Sequence, residues 1–154
     1  MFQFTSDMLN IFISFLLFIP SISLPNLPDQ GTLELEVQNI QTESGMIWVG
    51  LYRTADDFLI KEKAILVGVE VEAKGPMIIE VPDLKYGDYA LAIFHDENNN
   101  GEMDRNLVGI PSEPFAFSKP PVSKFRIPTF EEVKFTFHPQ KAKLTTKLKK
   151  WWQS

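Results

Sequence analysis

Between Asp96 and Asp104 the chain places oxygen-bearing side chains at alternate positions: Asp96, Asn98, Asn100, Glu102 and Asp104, with Gly101 directly after the third. Hard cations of the calcium type bind through six to eight oxygens, drawn from carboxylates, amides and backbone carbonyls at about 2.3–2.6 Å. Donors at every second residue, with a glycine that permits a sharp turn, let one short loop wrap such an ion. Laid on the EF-hand loop, Asp96 takes position 1, Asn98 position 3, Asn100 position 5 and Asp104 position 9, while Glu102 would offer its backbone carbonyl. Leu107 stands where the bidentate Glu of position 12 belongs, so the pattern is incomplete. Either the site is weak, with a dissociation constant of about 10⁻⁴–10⁻³ M as in extracellular modules, or a residue from elsewhere completes the shell. Glu113 is the nearest candidate. The expected ion is calcium rather than magnesium, which prefers to keep several waters. The competing reading is an Asn- and Gly-rich surface turn that satisfies itself through Asx hydrogen bonds.

Other reactive constellations are sparse. His95 directly precedes the loop, and alternation puts it on one face with Tyr89, Leu91 and Ile93, as expected of a core-edge histidine whose ring nitrogens meet backbone groups. Zinc needs three or four good ligands, and the only other histidine is His138. There is no cysteine, which excludes disulfides, a thiol nucleophile and a lipid-modified N-terminal cysteine. No serine sits in a Gly-x-Ser-x-Gly elbow. The acid pairs Asp56-Asp57 and Glu131-Glu132 read as solvated charge. A hydrolase or carbohydrate-active accessory protein built on His95 and neighbouring acids is the alternative reading, and a cleft joining His95 to Glu113 would favour it. Trp48, Tyr52, Phe115 and Phe117 admit two readings, a sugar- or peptide-binding face or packing in a core.

The elements that must hold the loop are strands. Thr32–Gln38 alternates cleanly, with Leu33, Leu35 and Val37 on one face and Glu34, Glu36 and Gln38 on the other. After a turn at Glu43-Ser44-Gly45, Met46–Arg53 is apolar on both faces and reads as a central strand, paired with the first as a hairpin. Thr54–Lys63 changes period and predicts one or two helical turns or an irregular loop. Leu66–Glu72, Met77–Pro82 and Asp88–His95 follow as strands. Pro111 and Pro114 forbid a regular helix or central strand beyond the loop. Phe130–Phe137 puts Val133, Phe135 and Phe137 on one face of a further strand. Lys141–Leu148 is a last, lysine-rich strand suited to an edge. The sum is an all-β chain, an antiparallel β-sandwich of about seven strands, immunoglobulin-like or transthyretin-like.

The N-terminus reads differently. Ile11–Ile19 is a short apolar run, broken by Pro20 and followed by Ser21-Ile22-Ser23, the small-residue pattern of a cleavage site. Residues 1–23 therefore read as a secretory signal peptide, too short for a membrane span of about 20 residues, although no Lys or Arg precedes the run. Residues 24–31 form a leader, 32–148 the sandwich and 149–154 a basic, aromatic tail. That tail reads as a frayed end, or as a peripheral contact with an anionic surface. Cleavage would take away one acid, Asp7, from the 20 and none of the 15 basic residues. The remaining acidic balance argues against nucleic acid as a partner. The protein is expected to be secreted or periplasmic, with a ligand in the envelope or outside the cell.

Three segments carry a family resemblance: Gly87-Asp-Tyr-Ala, then His95-Asp-Glu-Asn-Asn-Asn-Gly-Glu-Met-Asp104, then Gly109-Ile-Pro-Ser-Glu-Pro-Phe-Ala-Phe-Ser118. With these the chain resembles the bacterial exported proteins grouped as domain of unknown function 2141, over roughly Leu33 to Leu148. The resemblance implies a small exported β-sandwich and supplies no catalytic residues.

Overall fold

The computed structural model describes residues 28–123 and 125–153. The apolar run and cleavage signal of residues 1–23, and the leader as far as residue 27, lie outside the described residues. In chain order the strands are β1 (Gln30–Ile40), β2 (Met46–Tyr52), β3 (Ile65–Glu70), β4 (Gly75–Lys85), β5 (Gly87–Asp96), β6 (Phe115–Phe117), β7 (Phe135–Phe137) and β8 (Lys143–Lys147). One helical turn, α1 (Phe130–Val133), precedes β7.

The strands form two sheets. The smaller has the order β4-β1-β8 and the larger β3-β2-β5-β6, with β7 paired to the start of β5. All pairings are antiparallel except β1 with β8. The alternation read from β1 holds: Leu33, Leu35 and Val37 are sealed from solvent, opposite Val81, Ile79 and Met77 of β4. These side chains meet Ile47, Val49, Leu51, Leu91 and Ile93 of the larger sheet in one core. That is the layered arrangement of a sandwich, in which inward residues of two sheets interdigitate. Tyr89 lies wholly inside this core, and its hydroxyl donates to the Lys85 carbonyl at 2.8 Å, so the one polar atom it buries is paired. β2 is central, as its two apolar faces require, and β8 is an edge.

Three expectations change. β1 and β2 are not a hairpin, because Gln41–Gly45 carries the chain from one sheet to the other. Period-2 alternation marks which face a strand buries and says nothing of its partner. Phe130–Phe137 is not one strand. Thr129 and Glu132 form a capping box, with the Thr129 N–H donating to the Glu132 carboxylate at 2.8 Å, and this starts α1 before β7 begins. The helix buries Phe130 and Val133 with Ala90 of β5, against Phe58 and Phe117. The segment that follows Pro111 and Pro114 holds no central strand, as expected, and yields only β6, three residues on the edge of the larger sheet. The tail is not frayed: Lys149 exchanges two backbone hydrogen bonds with Phe115, each 3.0 Å, and Trp151–Gln153 forms a 3₁₀ turn. No helix among the described residues is long and apolar enough to cross a membrane.

The alternation in β4 gives a direct check. Ile79 is 2 % exposed and its neighbour Ile78 is 52 % exposed. Ile79→Ala is expected to cost about 2–5 kcal/mol of unfolding free energy, while Ile78→Ala stays within about 0.5 kcal/mol. Urea unfolding of the two variants measures both; equal losses would place the core elsewhere.

Candidate functional site

β5 is the strand that delivers the candidate ligands. Its alternation turns Leu91, Ile93 and His95 toward the core and Ala92, Phe94 and Asp96 to the outer face of the larger sheet. Asp96 is nevertheless 1 % exposed, a nearly dry carboxylate. Three donors hold it: Asn100 N–H to Oδ1 at 3.1 Å, Gly101 N–H to Oδ2 at 2.8 Å, and the Trp48 indole N–H to Oδ2 at 3.2 Å. Burial alone pushes the Asp96 carboxyl up, but these hydrogen bonds together outweigh it and leave the group below its ordinary value.

The remaining candidate donors fold onto one another. Asp104 Oδ2 accepts from the Asn98 amide at 2.7 Å and Oδ1 from the Asn100 amide at 3.0 Å. Asn98 Oδ1 accepts the Asn100 N–H at 3.1 Å, and Asn100 Oδ1 accepts the Glu102 N–H at 2.8 Å. Asn99 and Gly101 take left-handed backbone, with φ of 60° and 77°. This is the Asx-rich turn of the competing reading, and it gathers Asp96, Asn98, Asn100 and Asp104 in one network. An ion would need the two amides to turn their oxygens toward it, a rotation each side chain has room for at the exposed surface. Glu102 is exposed, and Lys61 donates to the Gly101 carbonyl beside it at 2.8 Å.

Glu113 is brought to the loop, as a clamp on its backbone. Oε1 accepts the Glu97 N–H and Oε2 the Asp104 N–H, each at 3.0 Å. The carboxylate is 4 % exposed, and burial is the main cause that raises its pKa; the charges of Asp104 and Asp96 add to the rise against the two amide bonds. Among the described residues no group of three or more His, Asp or Glu surrounds a common point. The two buried carboxylates respond oppositely to acid. Asp96, lowered, adds stability that is present above its ordinary 3.8 and lost as pH falls through the folded value. Glu113, raised, adds stability present below its ordinary 4.5 and lost as pH rises through the folded value.

Residues 35–145, most of the described domain, match the family described as uncharacterized protein conserved in bacteria (DUF2141). The chain belongs to this family. No curated protein and no solved structure matches it. The DUF2141 match spans both the loop and the Gly109–Ser118 segment that carries Glu113.

Sequence reasoning missed the corner that braces the loop from behind. Gly45, with φ of 88°, lies so close to β5 that a Cβ there would fall 2.1 Å from the Asp96 carbonyl oxygen. Thr42 donates to Glu97 Oε1 at 2.7 Å. His95 Nε2 lies 2.7 Å from the Ser44 carbonyl, so that nitrogen carries the proton, and Nδ1 is buried with no partner. His95 is wholly buried, and neither it nor Glu113 is among the residues that line the groove on the outer face of the larger sheet, so its position lends nothing to the hydrolase reading.

The sequence also left open where the aromatic residues go. Register sets Trp48 opposite Phe94 and Phe94 opposite Phe115, then Gly50 opposite Ala92 and Ala92 opposite Phe117. These line the outer face of the larger sheet and bound a cavity of about 740 Å³; Phe117 also packs against the α1 cluster, and Tyr52, at the cavity's edge, is itself buried. Lys61, Gly101–Met103 and Arg105 form part of its rim, so the candidate ion loop is also a wall of this groove.

Glu113→Ala would leave two backbone N–H groups without their acceptor. We expect a loss of about 1–3 kcal/mol, the penalty for buried unpaired donors, read by urea unfolding in the presence of chelator, with Glu113→Gln less severe. An unchanged stability would mean that the Glu97 and Asp104 N–H groups do not depend on Glu113, against the clamp.

Proposed function

We propose that this chain is an exported, non-enzymatic β-sandwich module whose Asp96–Asp104 loop takes up one calcium ion and which engages a partner in the bacterial envelope or outside the cell. The observation that carries the reading is the convergence of the donors. Asp104 is held by the side chains of Asn98 and Asn100, and Asp96 and Asn98 share the Asn100 N–H. Two carboxylates on one loop supply charge to match one divalent ion, and the Glu102 carbonyl and water would fill its remaining positions. Glu113 then acts through the backbone, fixing Glu97 and Asp104 at the two ends of the loop. The missing terminal carboxylate at Leu107 keeps the affinity in the extracellular range, about 10⁻⁴–10⁻³ M. Export rests on the Ile11–Ile19 run and the Ser21-Ile22-Ser23 signal.

An ion that binds only the folded loop adds RT ln(1 + [L]/Kd) to stability. With a weak site, millimolar calcium should contribute on the order of 1 kcal/mol, raising Tm by a few degrees. Asp104→Ala should abolish the shift. Asp96→Ala serves less well as a test, because Asp96 also holds Trp48, Asn100 and Gly101 whether or not an ion is bound. An identical melt in chelator and in about 10 mM calcium, far above that range, would reduce the loop to a turn.

The second part of the reading concerns the chain's start. Sequencing the N-terminus of the protein from the exported fraction should find Leu24 first; recovery of Met1 there would mean that the apolar run is retained.

A further inference from the structure

The groove on the outer face of the larger sheet goes beyond the calcium reading and does not depend on it. Its floor is made by Ala92 of β5 and by Gly50 of β2, the latter overlaid by the Tyr52 ring, whose hydroxyl would lie 3.0 Å from a Cβ at Gly50, and its walls by Trp48, Phe94, Phe115 and Phe117. The indole of Trp48 packs against Gly68, where a Cβ would come within 2.7 Å of the ring. Its one polar atom is spent on Asp96. A cavity of about 740 Å³ falls within the range of small-molecule sites. Exposed large apolar side chains also gather here. Leu59, Leu66, Phe125 and Ile127 line the rim. Such clustering marks a binding surface, whereas scattered exposed apolar residues do not.

The rim has a charge of its own. In a chain with 20 acidic and 15 basic residues, the groove is lined by Lys61, Arg105 and Arg126 against Glu102. Arg126 is committed to Glu132, with contacts of 2.5 and 2.8 Å. Lys61 and Arg105 bond only backbone carbonyls, those of Gly101 at 2.8 Å and Gly109 at 3.1 Å, and meet no carboxylate among the described residues. A sugar would bring a hydroxyl on nearly every carbon to walls that carry few polar groups, and unpaired buried hydroxyls are costly. An apolar body with one anionic end fits the walls and the rim together.

We propose that this groove binds a long-chain carboxylate, a free fatty acid, with its hydrocarbon along the Gly50–Ala92 floor and its carboxylate at Lys61 and Arg105. The hydrocarbon displaces water from the aromatic walls, and the two cations select the charged end.

Titration calorimetry of the full chain with hexadecanoate, in chelator and below the micellar range, tests this. One molecule should bind per chain, about tenfold or more tighter than hexadecanol, the difference that a charge-assisted contact supplies. Ala92→Phe should fill the floor and weaken hexadecanoate by a similar factor, with far-ultraviolet circular dichroism confirming the fold. Phe125→Ser, on an 83 % exposed rim residue, should weaken it too and stands in if the first variant does not fold. The double change Lys61→Gln with Arg105→Gln should erase the preference over hexadecanol. Absence of binding, equal binding of acid and alcohol, or indifference to the variants would overturn the proposal. So would binding to anionic vesicles alone, which would make this face a membrane contact. Because the titration contains no calcium, its failure leaves the ion reading standing, and the reverse holds.

Discussion

A nearly dry carboxylate at the end of a central strand sets the terms for this domain. Asp96 can stay charged only if enough donors reach it, and they come from two places. The indole of Trp48 comes from the adjacent strand, and the N–H groups of Asn100 and Gly101 come from the loop that Asp96 itself begins. Unpaired, a buried carboxylate is among the most expensive groups in a protein. The turn at Gly101, the position of Trp48 on the outer face and the sharp exit from β5 therefore belong to one requirement. Glu113 repeats the solution from the far side, exchanging two backbone amides for its own desolvation.

The loop and the groove consequently share parts. Trp48 is both a donor to Asp96 and a groove wall, and Gly101–Met103 are both loop backbone and groove rim. Lys61 ties the irregular segment after β2 to the Gly101 carbonyl. The loop's charge and the groove's contents thus lie on opposite sides of the same few residues.

Much of this was legible before any coordinates. The alternation of Leu33, Leu35 and Val37 and the two-sided apolarity of Met46–Tyr52 gave the buried faces and the central strand, and the Asp/Asn/Gly spacing marked the loop. Partner choice was not legible: alternation is the same whether β1 pairs with β2 or with β4. The start of α1 has a signal of its own, Thr129 with Glu132 three residues on, but Val133, Phe135 and Phe137 fit a strand equally well and hide it. Glu113 was found for its proximity, but its role was hidden, since a carboxylate bonding backbone amides leaves no spacing pattern. The groove was hidden for a related reason. On a strand apolar on both faces, Trp48 and Phe94 look the same pointing inward or outward, and only Gly50 and Ala92 beside them hint at a floor.

The pairing of β8 with β1 has a consequence for the order of events in the cell. Asn39 and the Leu148 carbonyl that it binds are 109 residues apart, and the smaller sheet gains its third strand only when they meet. A ribosome makes the seven other strands before β8, so that edge cannot close until they are all made, and closing so long a loop carries a slow entropic search. Until then β1 stands with one side unpaired, open to solvent and to any helper that keeps young chains extended. Without β8 the smaller sheet is a two-stranded ribbon of β4 and β1, short of the third strand that a sheet needs for stability of its own.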